Sequence, residues 1–253
     1  MEIIQLIIAS IILGILYKKM LNWGTSEKIA RKQAFILIIF GVIATFLTLF
    51  FALGIGYSIS KMGYALADIQ NLTIHAFASA FLLAGLTEEV SKLLMILLAI
   101  KLFHPQNVYE YSLIGAGIGM GFTLHEELLY GGSIVGFSRF LTLTFHMVLG
   151  VVMGKYIGMG IYNKNKGMPY MHKYVIALIA PITIHTIYDA FTVHNPAVTV
   201  EGLNDEVIVV WVVAALVCIT GATVSQFIFF KKLKKQAELY ASYNEQEDVP
   251  QHL

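Results

Sequence analysis

Leu86-Thr87-Glu88-Glu89-Val90-Ser91-Lys92-Leu93 lies inside an apolar run from about Leu72 to Phe103. A run of that length reads as a membrane-spanning helix, since ~20 apolar residues cross a hydrocarbon core of ~30 Å. Two carboxylates and a lysine in mid-span are costly there, at roughly 2.5–3.5 kcal/mol per charged residue. On a helix Lys92 lies one turn beyond both acids, so it can pair with either. Two adjacent carboxyl groups in a low dielectric are also a device for handling a proton. The competing reading is an ion pair that only locks helix packing. What decides between them is the set of partners that the rest of the chain supplies.

The whole chain fits a polytopic membrane protein and not a soluble globule: of 253 residues, 57% are hydrophobic and only 13% charged. A formal net charge of +1 offers no basic field for nucleic acid. The single cysteine, Cys218, excludes an internal disulfide and a thiolate metal cluster. The first residues show no positive n-region and no Ala-x-Ala site, so the first apolar run is expected to be a retained helix.

Working outward from Glu88, seven apolar spans are expected, at roughly 3–17, 34–57, 72–103, 111–131, 133–161, 173–193 and 206–230. They form one all-α transmembrane domain over 1–230, with a catalytic core at about 72–193 and a short charged tail over 231–253. Lys18, Lys19, Lys28, Arg31 and Lys32 fall between the first two spans. Lys164, Lys166 and Lys173 fall between the fifth and sixth, and Lys231, Lys232, Lys234 and Lys235 follow the seventh. The alternate loops hold little positive charge. Because basic loops stay in the cytoplasm, the N-terminus is expected outside and the C-terminus in the cytoplasm of a multi-pass cell-membrane protein.

The span after Glu88 opens with Gly115, Gly117, Gly119 and Gly121, whose spacing lets neighbouring backbones approach closely. It ends in His125-Glu126-Glu127, where Glu126 is a second acidic locus and its two neighbours are expected to solvate the outer end. A zincin reading of His125-Glu126 fails, because the required second histidine position is Leu129. The next span carries Arg139 near its outer end, His146 near its middle, and Gly150, Gly154 and Gly158 as a packing face. The sixth carries Pro181, expected to kink it, and then His185 and Asp189 on one face. An aspartate beside a histidine fixes the ring tautomer, in metal sites and in acid–base catalysis alike. Asn195-Pro196-Ala197 follows in an expected loop.

At ~1.5 Å per residue, Glu88 lies ~24 Å from Leu72 along its helix and His146 ~20 Å from Ser133. From the inner ends, Glu126 lies ~22 Å beyond Tyr111 and His185 ~18 Å beyond Lys173. With tilt and loose span boundaries, all four are expected to converge within the bilayer, though not at one exact depth. Four successive helices that each give an acid or histidine there are hard to explain by packing alone.

In these residues the stretch from Glu88 to Asp189 resembles the PrsW family of bacterial intramembrane proteases, related more distantly to the CAAX-protease and bacteriocin-processing group. Glu88, Glu89 and Lys92 match its Glu-Glu-x-x-Lys, and Phe122 with Glu126 match its Phe-x-x-x-Glu. Glu127 stands where the family has Asn, while Tyr130 is kept. His146, preceded by Arg139, and the pair His185 and Asp189 complete the pattern. Thr142 stands where the family has Phe, four residues before His146. The resemblance covers about 100 residues.

The resemblance implies an endopeptidase acting on a membrane-associated protein or peptide. Glu88 or Glu89 would activate water, with the other glutamate or Lys92 as its partner. His146 and His185 would hold a divalent metal or stabilise the oxyanion, and Asp189 would orient His185 or join the ligands. Glu126 is the next ligand candidate. Zinc suits two histidines and a carboxylate, although the CAAX-type relatives imply that the same residue types work without metal. The rivals are a proton- or metal-coupled transporter, against which stands the lack of an inverted repeat, and an inactive protein that only binds membrane peptides.

Overall fold

The structure is a computed structural model and describes residues 2–24, 28–130 and 139–243. Among these residues there are helices and turns and no strand. The long helices are α1 Glu2–Met20, α2 Arg31–Lys61, α3 Leu72–Ala80, α4 Leu86–Phe103, α5 Val108–Tyr130, α6 Phe145–Asn165, α7 Met171–Phe191 and α8 Asp205–Ala241. Five of them, α1, α2, α6, α7 and α8, are long and apolar enough to cross a membrane. The two runs of the expected seven that fall outside this set are the ones carrying the glutamates. Glu88, Glu89, Lys92 and Lys101 lie in α4, and Glu110, Glu126 and Glu127 in α5.

α5 is the axis of the bundle, buried without a break from Val108 to Thr123. Its four glycines serve two sides. A Cβ on Gly115 would strike the backbone of Gly150, and one on Gly119 the carbonyl of His146, so this edge lies directly on α6. Gly117 faces Tyr17 of α1, and Gly121 faces Ile38 and Gly41 of α2. Helices without side chains at the contact come close enough for extensive backbone packing, which drives association where the hydrophobic effect is absent. On α6, Gly154 and Gly158 continue the seam against Tyr111.

The other end of α5 is tied down by polar groups. Asn107 accepts the Glu110 amide at 3.0 Å, and the Glu110 carboxylate accepts the Lys28 and Gln106 amides, each at 2.7 Å. Tyr17 donates to the Leu113 carbonyl at 2.9 Å and Tyr109 to that of Met20 at 2.5 Å. These bonds fasten the α1–α2 connection and the α4–α5 turn to the start of α5.

Three boundaries differ from those expected. The run 72–103 is not one regular helix: a π-helical turn, Phe81–Gly85, separates α3 from α4. Gly85, at the end of that turn, lies against Ile182 and Thr186 of α7, where a Cβ would collide. The π-turn therefore re-aims the helix at the point where α7 crosses it. The fifth span, expected from 133, is broken: residues 139–141 are helical, a turn follows at Thr142–Thr144, and the long helix starts at Phe145; residues 133–138 lie outside the described residues. α8 runs past the expected end at 230 to Ala241 without a break, and the last part of the charged tail, 244–253, also lies outside them. Pro181 sits inside an unbroken α7. Asn195-Pro196-Ala197 opens a short helix, Pro196–Thr199, with Asn195 as its cap, accepting from Ala197 at 2.8 Å.

Candidate functional site

Coming directly after the π-turn, the first two turns of α4 point Glu88, Glu89 and Lys92 into the space between α5, α6 and α7. Lys92, fully buried, donates to Glu89 Oε1 at 2.7 Å and lies 3.5 Å from Glu88 Oε2. Its Nζ is also 2.9 Å from His146 Nδ1, and it sits 4.0 Å from the centroid of the Phe122 ring. Phe122, one turn before Glu126 on α5, thus places its negative ring face against the ammonium. His146 opens α6, and its Nε2 meets Glu126 Oε2 at 2.5 Å.

α7 closes the site from the other side. His185 Nδ1 is 2.7 Å from the same Glu89 oxygen that Lys92 holds. His185 Nε2 lies 3.7 Å from Glu88 Oε2 and 3.5 Å from Asp189 Oδ2, and makes no hydrogen bond. The two imidazole rings approach to 5.1 Å between centroids, with Phe145 edge-on to both. Every residue expected at the site, Glu88, Glu89, Lys92, Glu126, His146, His185 and Asp189, is therefore in one connected buried cluster.

Sequence reasoning left out some members. Arg139, placed near the outer end of a span, is buried and pairs with Glu126 at 2.6 Å. The signal was present, since an arginine in an apolar run needs an acid and Glu126 lay one helix away. Thr142, the departure from the family's Phe, shares a hydrogen bond of 2.6 Å with Tyr188. His125 and Glu127 do not solvate the outer end as expected. Glu127 is buried and accepts from Gln5 of α1 at 2.8 Å, and His125 bonds Thr45 of α2 at 2.9 Å. Nothing in the sequence marked Gln5 as a partner, because α1 looks featureless.

The donor set fits a divalent metal. One ligand atom each from Glu88, His146 and His185 lies within 4.8 Å of the others, and N/O donors of this kind suit zinc. His185 Nε2 and both Asp189 oxygens are buried without hydrogen-bond partners. Among the described residues the carboxylates of Glu88, Glu89, Glu126 and Asp189 face Lys92, Arg139 and the imidazoles of His146 and His185. The Lys92 ammonium, lodged among Glu88, Glu89 and His146, already holds a cation among these donors. A void of ≈ 10 Å³ lies against Glu126, Arg139, Thr142 and His146, about the room one water needs.

A model of the family described as "PrsW family intramembrane metalloprotease" matches residues 31–220, a stretch that contains every residue of this cluster. Among curated proteins, the chain is 32% identical over 125 residues to "Protease PrsW" of Shouchella clausii, covering 47% of this chain and 57% of that protein. It is 29% identical over 116 residues to "Protease PrsW" of Halalkalibacterium halodurans, covering 44% and 53%. It is 27% identical over 125 residues to "Protease PrsW" of Bacillus subtilis, covering 47% and 56%. The chain thus spans about half the length of the curated relatives it matches. No solved structure matches it.

Proposed function

The chain belongs to the PrsW family of intramembrane metalloproteases, and from that premise we propose that it hydrolyses a peptide bond in a membrane-anchored protein or peptide. The observation that carries this reading is the single buried cluster that joins α4, α5, α6 and α7 through Lys92, His146, His185 and Glu126. Ion pairs that only lock packing need no open donors. This cluster leaves His185 Nε2, Asp189 and one oxygen of Glu89 unbonded in its interior.

Glu88, His146 and His185 would hold the divalent ion, which when bound polarises the carbonyl and the water. Glu89 is the general base in this reading. Lys92 and His185 both hold its Oε1, which fixes the carboxylate, while Oε2 has no partner and is free to take a proton. The same oxygen returns that proton to the leaving amine. Asp189 orients His185, and Arg139 keeps Glu126 in place behind His146.

The fold we propose in the membrane has seven spans, with α3 and α4 crossing as one and α5 as another, the N-terminus outside and the C-terminus in the cytoplasm. The lysine asymmetry supports it.

The test is cleavage of a membrane-anchored reporter by purified protein in detergent, with bound metal and thermal unfolding measured on the same samples. Glu89→Gln should stay folded, keep its metal and lose at least ~100-fold in rate, the usual scale of general-base catalysis. His146→Ala and His185→Ala should lose both metal and activity. Full activity in both Glu88→Gln and Glu89→Gln would falsify the mechanism.

A further inference from the structure

α8 rests lightly on the bundle, with only 6% of its most apolar stretch buried. Between its second half, the end of α1 and the turn that precedes α6 lies a groove of ≈ 840 Å³. The groove changes character along its length. Ile12, Leu16, Leu143 and Phe227 line the deeper part, and Lys19, Lys231 and Lys234 stand at the other end with Trp23 beside them. None of these lysines pairs with an acid among the described residues. Gln226, only 7% exposed, stands one residue before Phe227, level with the apolar part of the groove. Its Oε1 accepts from Thr144 at 2.5 Å, while its Nε2 has no partner. Gln226 precedes Lys231 by ~7.5 Å and Lys234 by ~12 Å along α8.

Unpaired cations with an indole beside them at one end, and an apolar trough with the Gln226 amide in its wall at the other, match the phosphate and the acyl chains of a phospholipid. We propose that this groove binds an anionic diacyl glycerophospholipid. The phosphate lies among Lys19, Lys231 and Lys234, an ester carbonyl accepts from Gln226 Nε2, and an acyl chain runs along Leu16 and Phe227. Charge complementarity selects this occupant. An apolar peptide helix leaves the three cations unmatched, and a free phosphate leaves the trough unfilled. Basic pockets between membrane helices recognise anionic headgroups on the same grounds.

Native mass spectrometry of the intact chain, delipidated and then offered equal phosphatidylglycerol and phosphatidylcholine, tests the proposal. The wild type should retain phosphatidylglycerol preferentially. The triple variant K19Q/K231Q/K234Q should retain about 10-fold less or lower, while K164Q/K166Q/K173Q, which removes the same charge away from the groove, should match the wild type. Gln226→Leu should weaken retention with all three lysines in place. Equal loss in the two triple variants would show only a diffuse basic face and overturn the site. So would equal retention of the two lipids, or competition by inorganic phosphate as effective as that of the lipid. Thermal unfolding of each variant guards against loss of fold, and Gln226→Leu probes the groove independently of the lysines: undiminished retention in that variant would overturn the ester contact and with it the proposed seat of the lipid.

Discussion

Arg139 is the side chain on which the Glu126 side of the site depends. Its guanidinium is the strongest cation against Glu126, and both are buried. Arg139→Gln would strand the carboxylate beside His146, which should cost about 3–5 kcal/mol, the usual penalty for breaking a buried pair from one side. Arg139→Gln combined with Glu126→Gln should recover part of that loss in thermal unfolding; strict additivity of the two effects would mean that the pair is not coupled. The acids and histidines were legible in the sequence because an ionisable group in an apolar run is expensive and so stands out. Arg139 stood out as well, but it was assigned to a span end because nothing in the sequence marked the turn at Thr142–Thr144 that precedes α6. Gln5 and Thr142 were silent for a different reason. A neutral polar side chain costs little in either setting, so its partner is set by packing that only the fold reveals.

Glycines give the sharpest contrast between elements. Gly115 and Gly150 touch backbone to backbone where α5 crosses α6, whereas Gly14 on α1 has open space where a Cβ would stand. Gly14→Ala should therefore stabilise by up to ~1 kcal/mol through helix propensity alone. Gly115→Ala should destabilise by about 1–3 kcal/mol as the helices are forced apart, and it should lower activity by displacing His146 from Lys92. Unfolding in detergent with a cleavage assay checks both; a neutral Gly115→Ala would mean that the seam yields. The glycine spacing made this packing readable from the sequence. The π-turn was not readable, because Phe-Leu-Leu-Ala-Gly carries no breaker and fits a regular helix equally well. Because a π-turn fits one extra residue into a helical turn, deleting Leu83 should restore α-helical register with Glu88 and Glu89 kept near their present direction, whereas inserting an alanine after Leu86 should swing them by about 100° relative to α3. The insertion is expected to be inactive, and normal activity would show that the register carried through the π-turn does not aim the site.

For the molecule as a whole, the exposed apolar faces of α1, α2 and α8 call for a lipid solvent, and that much followed from composition. Orientation is open to direct measurement. Cysteines at Lys164 and Lys232 should label from the cytoplasmic side of intact membranes and a cysteine at Asn204 from the opposite side, in a background with Cys218 replaced. Same-side labelling of all three would sink the proposed topology. The helices that carry Glu88, Glu89 and Glu126 are also those not apolar enough to qualify as spans unaided, and this bears on how the chain is made. Lys92 accompanies its glutamates out of the ribosome, but His185 follows Glu89 by 96 residues. At ~5–20 residues per second that is a wait of about 5–20 s. During this interval α4 and α5 have neither α7 nor a complete site to stabilise them in lipid. Such half-built molecules depend on the insertion machinery to shelter two charged helices until the last histidine is translated.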